Sequence, residues 1–238
     1  MGIAERKNRE KQALRERILD AARRIVVREG FGALSMRKIA DAIEYSPATL
    51  YLHFESRDEI ARTLCVEGYS QLLATLMPVA SIADPAERLR ALGRGYVAFG
   101  VAHPETYRLM FMEDPSYTES ALTDAAASDE SGEAAMRLMT DALDALKAQQ
   151  RLPATLDSAV GAEAFWATIH GIVALKLTCP VFPRAPLETL VEAALDAWLP
   201  RVAMPAALAA QGAAEAVAAA AAGTASQKRS RSPRGAGT

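Results

Sequence analysis

In AIEYSPATLYLHF, residues 42–54, a serine and a proline interrupt a chain otherwise made of long, alanine-rich helical stretches. Ser46 is a residue type that caps helices through its side-chain oxygen, and Pro47 suits the first helical position, where its missing N–H costs nothing. A short helix is therefore predicted to begin at Pro47. Leu50 and Phe54 stand four apart as its apolar anchors, which leaves Ala48, Thr49, Tyr51, Leu52 and His53 wholly or partly off the buried stripe.

Upstream, Leu14, Ile18, Ala21, Ala22, Ile25 and Val26 recur at the spacing of one buried helix face and predict a first long helix from about Glu10 to Glu29. Gly30 stops it, and Ser35 caps a second helix that carries Ile39, Ala40 and Ile43 inward. Three helices, with a tight turn between the second and a third only about two turns long, have the layout of a helix-turn-helix DNA-binding unit. Such a unit needs a reading helix that enters a major groove about 12 Å wide while its back stays locked to the other helices.

Leu50 and Phe54 supply the lock, so Ala48, Thr49, Tyr51 and Leu52 are expected to face the groove. Small residues at Pro47, Ala48 and Thr49 permit close approach to base edges, and Tyr51 and His53 carry polar atoms suited to phosphates. The capped helix starts at Ser35 and Ser46 belong to the same surface. Arg37 and Arg57 bracket it with positive charge, and Arg37 has the fork to read a guanine.

Ser56 is expected to cap a fourth helix running to about Met77. Further helices are predicted over 84–102, a short stretch from His103-Pro104, and about 134–150, 157–178 and 186–199, with a loop or broken helix near 116–133. The chain thus reads as all-α: a DNA-binding domain over 1–55, a larger helical domain over 56–200, and an alanine-rich then basic disordered tail over 201–238.

Charge follows the same division. Residues 1–65 hold 13 Lys and Arg against 10 Asp and Glu, whereas residues 66–227 hold 10 against 19, and the last eleven residues add four positives. A basic front and an acidic middle point to double-stranded DNA as the partner of the front alone. No run of eighteen apolar residues suggests a membrane span, and the charged N-terminus is unlike a secretory signal, so a cytoplasmic protein is expected. Cys65 and Cys179 lack metal or disulfide spacing, and two ordinary buried thiols are expected. No nucleophile elbow, phosphate loop or metal-binding helix motif is present, so no catalytic residue, metal or cofactor is expected.

The stretch LSMRKIADAIEYSPATLYLHFESRDEIARTL, after VVREGFGA, resembles the N-terminal domain of the TetR family of bacterial transcriptional regulators. The resemblance rests on Gly30, Ser35, Ile39-Ala40, Ser46, Thr49-Leu50-Tyr51, His53-Phe54, Arg57 and Ile60. It departs in the turn: Ile43-Glu44-Tyr45 replaces the usual Ala-Gly-Val, so a left-handed residue must be accommodated without glycine at a cost of roughly 1 kcal/mol. Downstream, Trp166, His170 and Gly171 in FWATIHGIVAL, together with HPETYRLMF, are similar to the Trp-His-Gly type of C-terminal domain in that family.

The resemblance implies a homodimeric, ligand-responsive regulator, most simply a repressor of a palindromic operator. A cavity for a small apolar effector is expected among Tyr96, Phe99, His103 and Tyr107, with Met110, Phe111, Met136, Met139, Phe165, Trp166 and His170. Each of these also suits an ordinary core position, and Gly171 suits close approach by a neighbouring helix. Leu187, Leu190, Val191, Ala194, Leu195 and Trp198 form a stripe fit for a dimer seam or for packing within the subunit. Rival readings are a nonspecific architectural DNA-binding protein and, without motif support, an enzyme.

Overall fold

The structure, a computed structural model, describes residues 2–117, 131–179, 181 and 183–199. Residues up to Trp198 form one compact unit. The expected tail over 201–238 lies outside the described residues, as does most of the polar stretch near 116–133.

The described residues form helices and no strand: α1 Ile3–Glu29, α2 Met36–Ile43, α3 Pro47–Leu50, α4 Arg57–Leu76, α5 Pro85–Ala102, α6 Pro104–Phe111, α7 Ser131–Ala148, α8 Ser158–Thr178 and α9 Leu187–Trp198. The all-α expectation holds. Helix α1 begins earlier than its apolar stripe: its first turns are exposed, with Arg6 and Glu10 paired at 3.5 Å one turn apart.

Side chains chosen for the purpose start the helices. Ser35, Ser46 and Ser56 accept the Lys38, Thr49 and Glu59 amides at 3.2, 3.2 and 3.1 Å, satisfying backbone donors that a helix start leaves unpaired. Asp84 and Asp157 do the same for α5 and α8.

The glycine-free turn takes the left-handed form. Glu44 sits at φ 60°, ψ 43°, and the Tyr45 and Glu44 amides donate back to Ala40 and Asp41 at 3.0 and 3.4 Å. This is the Schellman ending of a helix, here without the residue that adopts it most cheaply.

Beyond it, α3 is shorter than the two turns expected. The α-helix closes at Leu50, and the chain continues to His53 through tighter bonds from the Leu52 and His53 amides to Thr49 and Leu50, at 3.2 and 2.9 Å. Those three-residue bonds let Phe54 swing under the unit while the outer face stays helical in shape.

Helices α4, α5, α7 and α8 pack on one another, with α6 laid against α4, and α9 against α5 and α8. Close approach is set by Gly100, where a Cβ would meet Val173 at 2.5 Å and the Tyr107 ring at 2.9 Å. Arg90, buried, donates to Asp196 at 2.8 Å, and Arg94 pairs with Glu192 at 2.6 Å, fastening α9 to α5. Helix α8 is long and apolar enough by length and composition to cross a membrane, yet here its Phe165, Ile169 and Val173 face is buried in the bundle.

Candidate DNA-reading surface and effector cavity

Leu50 and Phe54 are buried as expected, and the Arg15 guanidinium lies 3.9 Å from the centre of the Phe54 ring. Arg15 also donates to the His53 carbonyl at 2.7 Å, so α1 fixes the end of the reading segment. Pro47 and Ala48 are exposed, Tyr51 is 55% exposed, and Leu52 is 75% exposed. Thr49 is half-buried, and its hydroxyl lies 2.9 Å from that of Ser46.

Arg37 is exposed at the start of α2, whereas its neighbour Lys38 is engaged by Glu29. Two expected members sit differently. Arg57 is half-buried, stacked 4.8 Å from the centre of the Phe31 ring and bonded to Asp58, so structure already occupies much of its fork. His53 turns Nδ1 into the interior, where that atom meets no partner among the described residues. Burial, with Lys11 and Arg15 nearby, pushes the His53 imidazole below its usual value and keeps it neutral at pH 7.

Among helices α4 to α8 lies a cavity of about 500 Å³. Tyr96, Phe111, Met136, Met139 and Trp166 of the expected set line it, whereas Met110 is buried outside it. Tyr69 and Leu72 of α4, Ala135 of α7, and Glu163 and Ala167 of α8 join them. The α4 pair was not expected; Tyr69 and Leu72 stand three apart, a spacing that marked α4's inner face without showing what it faces.

Tyr107 and His170 lie one layer behind the wall. Trp166 Nε1–H donates to the Tyr96 hydroxyl at 3.0 Å, the Tyr96 and Tyr107 hydroxyls are 2.9 Å apart, and Tyr107 reaches His170 Nδ1 at 2.6 Å. Burial lowers the His170 imidazole and raises both phenols, so all are neutral at pH 7. With Nδ1 unprotonated, the tautomer that lets it accept from Tyr107, the protons run in one direction, from Trp166 through Tyr96 and Tyr107 to Nδ1. Tyr96 and Trp166 are the members that the chain shares with the cavity wall.

Phe99, His103 and Phe165 do not line the cavity. Phe99 is buried with its ring 5.1 Å from that of His103, which is exposed at the end of α5. Phe165 packs edge-on against Trp198 at 5.8 Å. Phe165 lies about 100° round α8 from Trp166, on the side away from Ala167, and so packs on Trp198 instead of facing the cavity.

The α9 stripe splits. Val191 and Leu195 are buried against the subunit's own helices, which removes them from any outer seam; Leu187, Leu190, Ala194 and Trp198 are half-buried. Among the described residues, nothing comes within 4 Å of where a Cβ of Gly171 would stand, so the close approach expected there is not made by another described helix of this chain. Both thiols are free; Cys65 is buried, its pKa pushed up to about 12 by burial, while Cys179 is only half-buried.

Sequence comparison covers both regions. The profile of bacterial regulatory proteins of the tetR family matches residues 18–64, and that of the tetracyclin repressor-like C-terminal domain matches residues 89–198. The HTH-type transcriptional regulator UidR of Escherichia coli K12 is 28% identical over 124 residues, which span 46% of this chain and 63% of UidR. The chain spans 35% to 63% of the length of its first curated relatives.

A protein of unknown function from Rhodococcus sp. RHA1 shares the fold at TM-score 0.66 and 27% identity, covering 78% of this chain and 93% of that one. Transcriptional regulator FadR of Bacillus subtilis, solved in complex with stearoyl-CoA, has the same fold at TM-score 0.60 and 15% identity, covering 77% and 97%. The matched profiles take in the reading unit and most of the bundle behind it, and the chain belongs to the TetR family of transcriptional regulators.

Proposed function

We propose that the chain is a ligand-responsive repressor that binds a palindromic operator as a homodimer and leaves it when a small apolar effector fills the cavity. Residues 1–55 read DNA, and 56–200 hold effector and partner. The observation that carries this reading is the second and third helices with their left-handed turn: Leu50 and Phe54 are buried while Pro47, Ala48, Tyr51 and Leu52 stand in solvent. A merely structural hairpin would have no reason to leave that face bare.

Helix α4 supports the coupling. Its first turn touches the reading unit through Arg57 on Phe31 and Glu59 near Arg15 at 3.7 Å, and its middle lines the cavity at Tyr69 and Leu72. An effector that fits the wall better in one α4 position shifts the protein toward that position, and the two reading helices then no longer match grooves about 34 Å apart.

The wall is mostly rings, methionines and aliphatic groups, with Glu163 as its one charged residue among those described, which favours an apolar molecule. FadR of Bacillus subtilis, which shares the fold, binds stearoyl-CoA, a molecule with a long apolar acyl chain on a charged coenzyme. Open space at Gly171, beside the half-buried Leu187, Leu190, Ala194 and Trp198, suits close approach by a second copy. A regulator of chromosomal DNA works in the cytoplasm.

The test is selection of bound sequences from random DNA with the purified protein. Two inverted half-sites are expected; enrichment of nothing would favour an architectural protein. Replacing Thr49 and Tyr51 together by alanine should abolish specific binding while helix content and oligomeric state persist. Trp166→Ala should change the effector response more than DNA affinity, and equal loss of both would count against a separate effector site.

A further inference from the structure

We infer that the reading helix recognises its operator through the methyl groups of thymine, with hydrogen-bonded base reading left to Arg37. This rests on the DNA-reading function proposed above and adds the chemistry of the sequence being read. Between Ser46 and Phe54 there is no Asn, Gln, Arg, Lys, Asp or Glu, so nothing on this segment can make a forked bond to a base edge.

The polar atoms that remain are few and none is a fork. The Ser46 hydroxyl accepts the Thr49 amide at 3.2 Å and lies 2.9 Å from the Thr49 hydroxyl, a bond that uses one of the two hydroxyl protons and leaves a single O–H donor at the helix start. His53 Nδ1 is buried. The Tyr51 hydroxyl has the reach and chemistry of a phosphate contact.

What the segment offers a groove is therefore Pro47, Ala48, the methyl of Thr49 and Leu52. Leu52, at 75% exposed, touches little within the fold that would explain an apolar residue there. In the major groove the apolar feature of a standard base pair is the C5 methyl of thymine, and apolar contact by Ala, the Thr methyl and similar groups is how it is read. Arg37 complements them: exposed, on the adjoining helix, with a five-donor fork suited to guanine O6 and N7. A half-site read this way carries thymines opposite α3 and a guanine within reach of the start of α2.

The experiment uses the selected operator and the full-length dimer. Each half-site thymine is replaced in turn by deoxyuridine, which deletes the methyl and leaves the pairing intact, and binding is measured for wild type and Leu52→Ala. At read positions, loss of the methyl should weaken wild-type binding roughly fourfold per methyl, the worth of burying one such group. At the Leu52 position the deoxyuridine penalty should vanish in Leu52→Ala, and 5-methylcytosine should restore binding relative to cytosine there.

A specific site whose affinity is unchanged by deoxyuridine throughout both half-sites overturns methyl reading and leaves the repressor reading intact. A penalty that persists undiminished in Leu52→Ala overturns the role of Leu52. If no site is selected at all, the DNA-reading function fails and this inference with it.

Discussion

The reading unit and the cavity wall are held by hydrogen bonds of opposite reach. The cap bonds of Ser35, Ser46 and Ser56 each span three residues, whereas the Trp166, Tyr96, Tyr107 and His170 chain joins residues 11 to 70 positions apart. One region is assembled locally and presents its outer face to solvent. The other exists only when three distant helices are packed, and it hides its polar atoms. The difference separates a rigid reading surface from a part whose arrangement a bound molecule can bias.

The sharpest contrast lies within the reading unit. Phe54→Ala should cost about 3–5 kcal/mol of unfolding free energy, because a fully buried ring leaves a cavity beneath Arg15. Leu52→Ala, two residues away and mostly exposed, should stay within about 0.5 kcal/mol. Urea unfolding of both variants measures this, and comparable losses would mean that Leu52 is core rather than a reading residue.

Tyr96→Phe tests the buried chain at somewhat smaller scale. It strands the Trp166 indole N–H and removes the hydroxyl bonded to Tyr107, for an expected loss of about 1–3 kcal/mol. Ser46→Ala, removing a local cap in an exposed place, should cost about 1 kcal/mol. If thermal unfolding ranks Ser46→Ala as the worse, the long-range chain contributes less than its burial implies.

This contrast also accounts for what could be read in the sequence. Ser46-Pro47, and Leu50 with Phe54, announce the reading helix because their partners lie within a few residues. The left-handed residue at Glu44 came instead from the family resemblance, in which a glycine usually stands in that turn. The cavity was half legible: Tyr96, Phe111, Met136, Met139 and Trp166 are aromatic or sulfur-bearing residues on inner faces. Which of Phe165 and Trp166 faces it depends on the rotation of α8 against its neighbours, fixed by contacts such as Gly100 on Val173 that no local pattern encodes. The inward turn of Val191 and Leu195 had the same cause, since a stripe shows that a face is buried and not by what.

Glu44 gives a smaller test. Glycine at 44 removes the steric cost of the left-handed backbone but gives up some unfolded-chain entropy, so Glu44→Gly should stabilise by up to about 1 kcal/mol. Thermal unfolding would show a modest rise in Tm. A fall would mean that the Glu44 side chain contributes more than the strain it imposes.

The smallest expected effect is the pH dependence of the buried chain. Burial holds the His170 imidazole below its value of about 6.5 in an unfolded chain. The unfolded state therefore takes up a proton first as pH falls, and folding must exclude it. His170 contributes no pH dependence well above 6.5 and a growing loss of stability below it. His53 acts in the same direction, lowered by burial and then by Lys11 and Arg15. Asp58, held down by Tyr117 and Arg57, and Asp84, held down by Arg151, lose their contributions only at more acid pH, below about 4. Between pH 7.5 and 5.5 the fall in Tm thus belongs chiefly to the two histidines. His170→Gln should start less stable, having lost the Tyr107 bond, yet fall less steeply over that window. His53→Gln should flatten the slope by its own share without disturbing the cavity. An unchanged slope in His170→Gln would place the titrating group elsewhere.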